Sequence, residues 1–138
     1  MKHFVLDASV ALSWFIDQPT DPYAERVRRL LLQGSSALVP AIWPLEIANG
    51  FLTAERRGLS SPSETAEMLA ELDVILRSIE VNHEFISIRR VVESARHAHL
   101  TAYDTTYLDL ARERRLSIAA LDRRLLEAAQ LAGVSLVR

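Results

Sequence analysis

The stretch Phe4-Val5-Leu6-Asp7-Ala8-Ser9 decides the predicted fold, because a short apolar run ends abruptly in a carboxylate. A helix-like run at residues 10–16 follows directly, so residues 4–6 are expected to form a buried strand that leads into a helix. In an open parallel sheet, ligands gather outside the carboxyl ends of the strands. Asp7 is therefore well placed for a functional site.

Further strands are predicted where apolar runs lie between turn residues. Residues 37–40, 116–121 and 134–137 are such runs, and residues 78–81 predict a brief edge strand. Helical spacing of apolar residues predicts helices at residues 10–16, 21–33, 44–57, 62–77, 85–97, 102–115 and 125–131. This alternation predicts one α/β domain over residues 1–138, with a central, mostly parallel sheet and helices on both faces.

The composition excludes several classes of protein. The chain has 138 residues, 49% hydrophobic and 25% charged, as in an ordinary globular domain. It has no cysteine, which excludes disulfides, thiolate zinc sites and cysteine nucleophiles. Asp7 interrupts the apolar start, which argues against a signal peptide, and no run is long enough to span a membrane. We therefore expect a cytoplasmic protein.

The charge is nearly balanced but the cations are almost all arginine. The net charge of -2 does not fit a simple nucleic-acid coat protein. Lys2 is the single lysine among sixteen basic residues. Arginine suits bidentate phosphate contacts, although a codon bias toward arginine explains the composition equally well.

Four acids are candidates for a shared site. Asp7 and Asp122 each end a predicted strand. Asp104 precedes Tyr107 by three residues on a largely apolar helix face, and Glu46 lies in a stretch with no other charge between residues 29 and 55. Glu46 and Asp104 are therefore both expected to point inward.

Carboxylates that converge away from water need a cation among them, because they otherwise repel one another and take up protons. Mg²⁺ and Mn²⁺ prefer such oxygen ligands and support phosphodiester hydrolysis. Each acid also has a structural interpretation: Asp7 and Asp122 suit helix N-caps, while Glu46 and Asp104 suit the first turn of a helix. Spacing along the chain does not decide whether the four converge.

Four segments that contain these acids resemble, in order, the motifs of PIN-domain ribonucleases. They are Val5-Leu6-Asp7-Ala8-Ser9-Val10-Ala11-Leu12-Ser13-Trp14-Phe15, then residues 40–49, then residues 101–111, and finally Leu121-Asp122-Arg123-Arg124-Leu125. The nearest resemblance is to the VapC-type toxins of bacterial toxin–antitoxin modules. The four motifs together span nearly the whole chain.

The resemblance implies a three-layer α/β/α PIN-like domain that cuts RNA with one or two bound Mg²⁺ or Mn²⁺ ions. It assigns the catalytic and metal-binding roles to four acids, namely Asp7, Glu46, Asp104 and Asp122. It also implies that water, rather than a side chain, is the nucleophile. Ser9 would form hydrogen bonds within the site, and Asn49 would orient Glu46 or contact the substrate.

The same resemblance implies partners for the protein. Toxins of this type are usually homodimers, and an antitoxin protein inhibits them by inserting a peptide segment near the acids. Their RNA substrates would be tRNA or rRNA, whose cleavage stops translation. The chain departs from the family at Ala120, where a threonine is common, so a hydroxyl that would position Asp122 is missing.

Other residues have two interpretations. Arg123 and Arg124 adjoin Asp122 and would contact RNA phosphates, whereas most arginine pairs are solvated helix faces. Tyr103 and Tyr107 would stack on bases or pack in the core.

Two rival functions follow from the sequence as well. A non-catalytic interaction module would keep the fold and lose an acid, but none of the four is lost. A phosphoaspartyl phosphatase or receiver needs a late lysine, and the chain has only Lys2.

Overall fold

Four strands alternate with seven helices in the computed structural model, which describes residues 1–138. The strands are β1 (His3–Leu6), β2 (Ser36–Pro40), β3 (Ile79–Asn82) and β4 (Ser117–Ala119). The helices are α1 (Ala8–Ile16), α2 (Pro22–Leu32), α3 (Trp43–Arg56), α4 (Pro62–Leu76), α5 (Ile88–Ala98), α6 (Ala102–Arg114) and α7 (Arg123–Leu131). None of these helices combines the length and the hydrophobicity needed to cross a bilayer.

The strands form a single parallel sheet in the order β3-β2-β1-β4. Strand β1 lies inside the sheet, with Val5 opposite Leu38 of β2 and Ile118 of β4. Phe4, Val5 and Leu6 are almost completely buried, as expected for a strand covered on both faces. The apolar run before Asp7 is thus the centre of the core.

Helices cover both faces of the sheet in a three-layer α/β/α arrangement, as predicted. The chain moves in one direction from β1 to β2 to β3 and then returns past β1 to β4. Right-handed connections therefore place α1–α4 on one face and α5–α6 on the other. The direction of the chain reverses between β1 and β4, and this is where open parallel sheets bind ligands.

Local sequence signals explain where several helices begin. Asp21 caps α2 by accepting hydrogen bonds from the backbone of Tyr23 and Ala24, and Pro22 takes the first helical position. Ser61 and Glu64 form a capping box at the start of α4. These caps confirm the helix starts that the sequence predicts for α2 and α4.

Gly50 lies where α1 packs against α3 and leaves room for the Leu12 side chain. A Cβ atom at this position would collide with the δ-methyl groups of Leu12 on α1. Asp7 lies at the start of α1 and Glu46 lies one turn before Gly50 on α3. The missing side chain therefore lets the two helices that carry these acids approach each other.

Two predicted elements differ from the structure. The strand predicted at residues 134–137 is reduced to one parallel bridge between Leu136 and Ile118. The helix predicted from Phe85 begins three residues later, because Ser87 caps it by accepting a hydrogen bond from Arg90 N. Phe85 itself is 94% exposed and lies outside the helix.

Candidate active site

Asp7 ends β1 and is buried, with only 5% of its surface exposed. It caps α1, accepting hydrogen bonds from the backbone N–H of Ser9 at 3.3 Å and from the Ser9 hydroxyl. Burial raises the pKa of Asp7 to about 6, the hydrogen bonds from Ser9 oppose this rise, and the negative charges of Glu46 and Asp104 add to it. The protein therefore holds a carboxylate where its charge is costly.

The Ser9 hydroxyl connects the ends of β1 and β4. It donates to Asp7 and accepts a hydrogen bond from the backbone N–H of Leu121 at 3.0 Å. The backbone N–H of Asp7 donates to the carbonyl of Ala119 at 2.9 Å. These bonds hold Asp7 beside the segment that leads to Asp122.

Glu46 lies in the first turn of α3 and is half-buried. The hydroxyl of Tyr107 donates to Glu46 Oε1 at 2.5 Å. Burial raises the pKa of Glu46, the hydrogen bond from Tyr107 lowers it, and the charge of Asp104 raises it further. Glu46 thus lies within the electrostatic reach of both Asp7 and Asp104.

Asp104 and Asp122 complete the set at the starts of α6 and α7. The backbone N–H of Asp104 donates to the Thr101 hydroxyl at 3.1 Å, and Asp122 caps α7 by accepting from Leu125 N at 2.9 Å. Burial raises the pKa of Asp104, the charge of Asp122 raises it too, and Thr101 and Arg124 lower it. The four acids therefore form a chain of mutually repelling carboxylates.

All four acids lie at helix N-termini, so the cap and the site interpretations are both compatible with the structure. Asp7 and Asp122 are N-caps, and Glu46 and Asp104 lie in first turns. The positive ends of the helix dipoles reduce the cost of bringing these charges together. None of the four forms an ion pair with an arginine, lysine or histidine.

The chemistry of the donor set fits a hard divalent cation. The site offers carboxylate oxygens, whose pKa values are raised first by burial and further by the neighbouring acids, and hard divalent cations prefer such ligands. The side chains as they stand do not bring three acids around one point in the geometry of a metal site. The site therefore has negative charge that suits a cation, but no three of its acids surround one point as ligands.

Asn49 and the arginines take positions that sequence spacing does not reveal. Asn49 is exposed and makes no side-chain hydrogen bond, so it does not orient Glu46 in this structure. Arg123 lies 3.4 Å from Glu127 on the exposed face of α7. Arg124 makes no ion pair, and its charge acts on Asp104.

Tyr107 is the site residue that the sequence did not identify. Its side chain is completely buried, which agrees with the predicted core position and excludes stacking on a base. Burial and the nearby carboxylates raise the pKa of its phenol, so the hydroxyl stays protonated as a donor. Its spacing of three residues after Asp104 was the available signal, but the partner on α3 depends on the fold.

Comparisons with known proteins agree with this architecture. The family model for the PIN domain matches residues 4–131. The chain is 27% identical over 124 residues to "Ribonuclease VapC3" of Pyrobaculum aerophilum, covering 89% of this chain and 92% of the relative. The crystal structure of PAE2754 from the same organism superposes with a TM-score of 0.69 at 20% identity, covering 92% of this chain and 84% of that one.

Proposed function

The chain belongs to the PIN-domain family, and on that premise we propose that it is a Mg²⁺- or Mn²⁺-dependent endoribonuclease. The observation that carries the proposal is the buried Asp7, whose pKa of about 6 reflects burial and two neighbouring carboxylates. The similarity to a protein named a ribonuclease supports RNA as the substrate. The reaction is hydrolysis of a phosphodiester bond.

In this proposal Asp7, Glu46, Asp104 and Asp122 hold the cation. When bound, a divalent cation lowers the pKa of water and neutralises charge on the phosphoryl group. Ser9 keeps the carboxylate of Asp7 in place, and the helix N-termini supply positive potential. Arg124 provides a positive charge beside Asp104 that attracts an RNA phosphate.

We also propose the biological role of a type II toxin that stops translation by cutting tRNA or rRNA in the cytoplasm. The VapC name of the relative supports this role. The proposal includes a cognate antitoxin protein and a homodimeric state. Exposed apolar residues offer surface for such contacts, notably Leu45, Phe85 and Ile88, which are 67%, 94% and 81% exposed.

A second candidate function is a non-catalytic interaction module with the same fold. The observation that favours it is that no three acids surround a common point. In that case the four acids serve only as caps and first-turn charges of their helices.

One experiment separates the two functions. Purified protein is incubated with total tRNA and rRNA in the presence of Mg²⁺ or Mn²⁺, in chelator, and as the Asp7→Asn variant. Cleavage that requires both the metal and Asp7 supports the nuclease. Absence of cleavage together with absence of Mn²⁺ binding by calorimetry supports the interaction module.

A further inference from the structure

We infer that Tyr107 is a positioning residue that fixes the carboxylate of Glu46 in the orientation needed to bind the cation. The inference rests on the proposed function, because it concerns how one proposed ligand is held. It adds to the four acids a residue that contacts neither the cation nor the RNA.

The contact joins two helices that are distant in sequence. The Tyr107 hydroxyl on α6 donates to Glu46 Oε1 on α3 at 2.5 Å, and this is the only side-chain hydrogen bond that Glu46 makes. Tyr107 is completely buried, so its ring cannot swing away without disturbing the core. The position of the hydroxyl is therefore set by the packing of α6.

Glu46 needs such a partner more than the other acids do. Asp7 and Asp122 are held by backbone N–H groups at their caps, and glutamate has a longer, more flexible side chain. Ordering a glutamate side chain costs more rotamer entropy than ordering an aspartate side chain, because it has one more rotatable bond. With Oε1 bound to Tyr107, Oε2 is left to bind a cation.

Tyr107 also links Glu46 to a second acid. Asp104 lies three residues before Tyr107, so the two side chains leave the same face of α6. Helix α6 therefore carries both Asp104, a proposed metal ligand, and Tyr107, the residue that orients the proposed ligand Glu46. A shift of α6 would move both together.

A buried tyrosine hydroxyl needs a partner wherever it lies, so the experiment must separate positioning from simple packing. The chain offers a matched control in Tyr23. Its partly buried hydroxyl donates to the backbone carbonyl of Val137 at 2.8 Å and forms no hydrogen bond with any of the four acids. Tyr23→Phe and Tyr107→Phe each remove one oxygen atom and one hydrogen bond.

Mn²⁺ affinity is measured by calorimetry on the full chain for wild type, Tyr107→Phe, Tyr23→Phe and Glu46→Gln. Tyr107→Phe is expected to weaken Mn²⁺ binding roughly 10-fold, the typical effect of losing a group that orients a metal ligand. Tyr23→Phe is expected to leave the affinity unchanged. Melting temperatures in chelator show that both tyrosine variants fold.

The double variant Tyr107→Phe with Glu46→Gln tests whether Tyr107 acts through Glu46. If it does, the double variant binds Mn²⁺ no more weakly than Glu46→Gln alone. Equal affinities of wild type and Tyr107→Phe, with weaker binding by Glu46→Gln, would overturn the inference and leave the proposed function intact. Unchanged affinity in Glu46→Gln would overturn the inference and remove Glu46 from the proposed ligands, whereas no binding by wild type would overturn both the inference and the proposed function.

Discussion

The four acids of the candidate site differ in their ion pairs from the acids on the surface around α5 and α6. On that surface, Arg114 lies 2.6 Å from Glu84, and Arg90 lies 2.8 Å from Glu113. At the candidate site, neither Asp7 nor the other three acids has such a partner. With fifteen arginines, the chain has ample cations for pairing. The contrast teaches that the candidate site gathers four acids without ion pairs, and that burial raises the pKa of three of them, Asp7, Glu46 and Asp104.

The largest expected effect is a gain of stability when a site acid is neutralised in metal-free protein. The pKa of Asp7, about 6 against an ordinary 3.8, corresponds to about 3 kcal/mol. Folded protein holds the Asp7 proton more tightly than unfolded protein, so the contribution of Asp7 to stability is greatest below about pH 4 and is lost as the pH rises through about 6. Asp7→Asn should therefore be more stable than wild type by up to about 3 kcal/mol above pH 6, as measured by urea unfolding in chelator.

The matched variant for this prediction is Glu113→Gln, which neutralises an acid of an ion pair on the α5–α6 surface. It leaves Arg90 without its partner and should lose at most about 1 kcal/mol, because the pair is largely exposed. The two neutralisations are thus expected to change stability in opposite directions. A clear loss of stability in Asp7→Asn would mean that Asp7 serves as a structural cap and not as a site acid.

The second effect is stabilisation of the wild type by Mn²⁺. A ligand at 100 times its dissociation constant adds about 2.7 kcal/mol to the free energy of unfolding. Protons compete for the carboxylate of Asp7, so this gain should shrink as the pH falls below about 6. Melting curves with and without Mn²⁺ between pH 5 and pH 8 measure it. A gain that does not change with pH would contradict binding by carboxylates.

The third prediction concerns Arg124, the cation whose charge reaches the site. Arg124→Ala should weaken binding of single-stranded RNA and reduce the slope of log affinity against log salt by about 0.7, as expected for one lost phosphate contact. Fluorescence anisotropy at several salt concentrations gives both quantities. Arg29→Ala, which removes an exposed arginine on α2, is the control and should change neither. Equal slopes for the two variants would exclude Arg124 from the RNA path.

The smallest effect is expected for the pairs on the α5–α6 surface. A double-mutant cycle on Arg90 and Glu113 should give a coupling energy below about 1 kcal/mol, because both side chains are substantially exposed. Unfolding of the two single variants and the double variant measures it. A coupling of several kcal/mol would mean that ion pairs on the α5–α6 surface contribute strongly to stability, so that strong electrostatic effects are not limited to the candidate site.

Much of the fold could be predicted because its signals are local. The apolar run before Asp7, the capping box at Ser61 and the proline at the start of α2 each act within a few residues. The errors lie where tertiary context decides. Residues 134–137 have the composition of a strand but form only one bridge with Ile118, and α5 begins at Ile88 because Ser87 caps it.

The candidate site was only partly predictable for the same reason. Asp7 and Asp122 could be identified because each follows a short strand, and parallel strands end at one edge of a sheet. The partner of Glu46 could not be identified from the sequence, because Tyr107 lies 61 residues away on another helix. Asn49, one turn after Glu46, was expected to orient Glu46 or to contact the substrate; it is exposed, and its role stays a prediction.

The pairing of β1 with β4 has a consequence for synthesis of the chain. Phe4 lies opposite Ser117, and the Ser9 hydroxyl contacts the backbone of Leu121, so the surroundings of Asp7 are completed by a segment synthesised 112 residues after Ser9. Contacts so distant in sequence form late, after the intervening helices have emerged and folded. The ribosome therefore carries a nascent chain whose site is unassembled until β4 has left it.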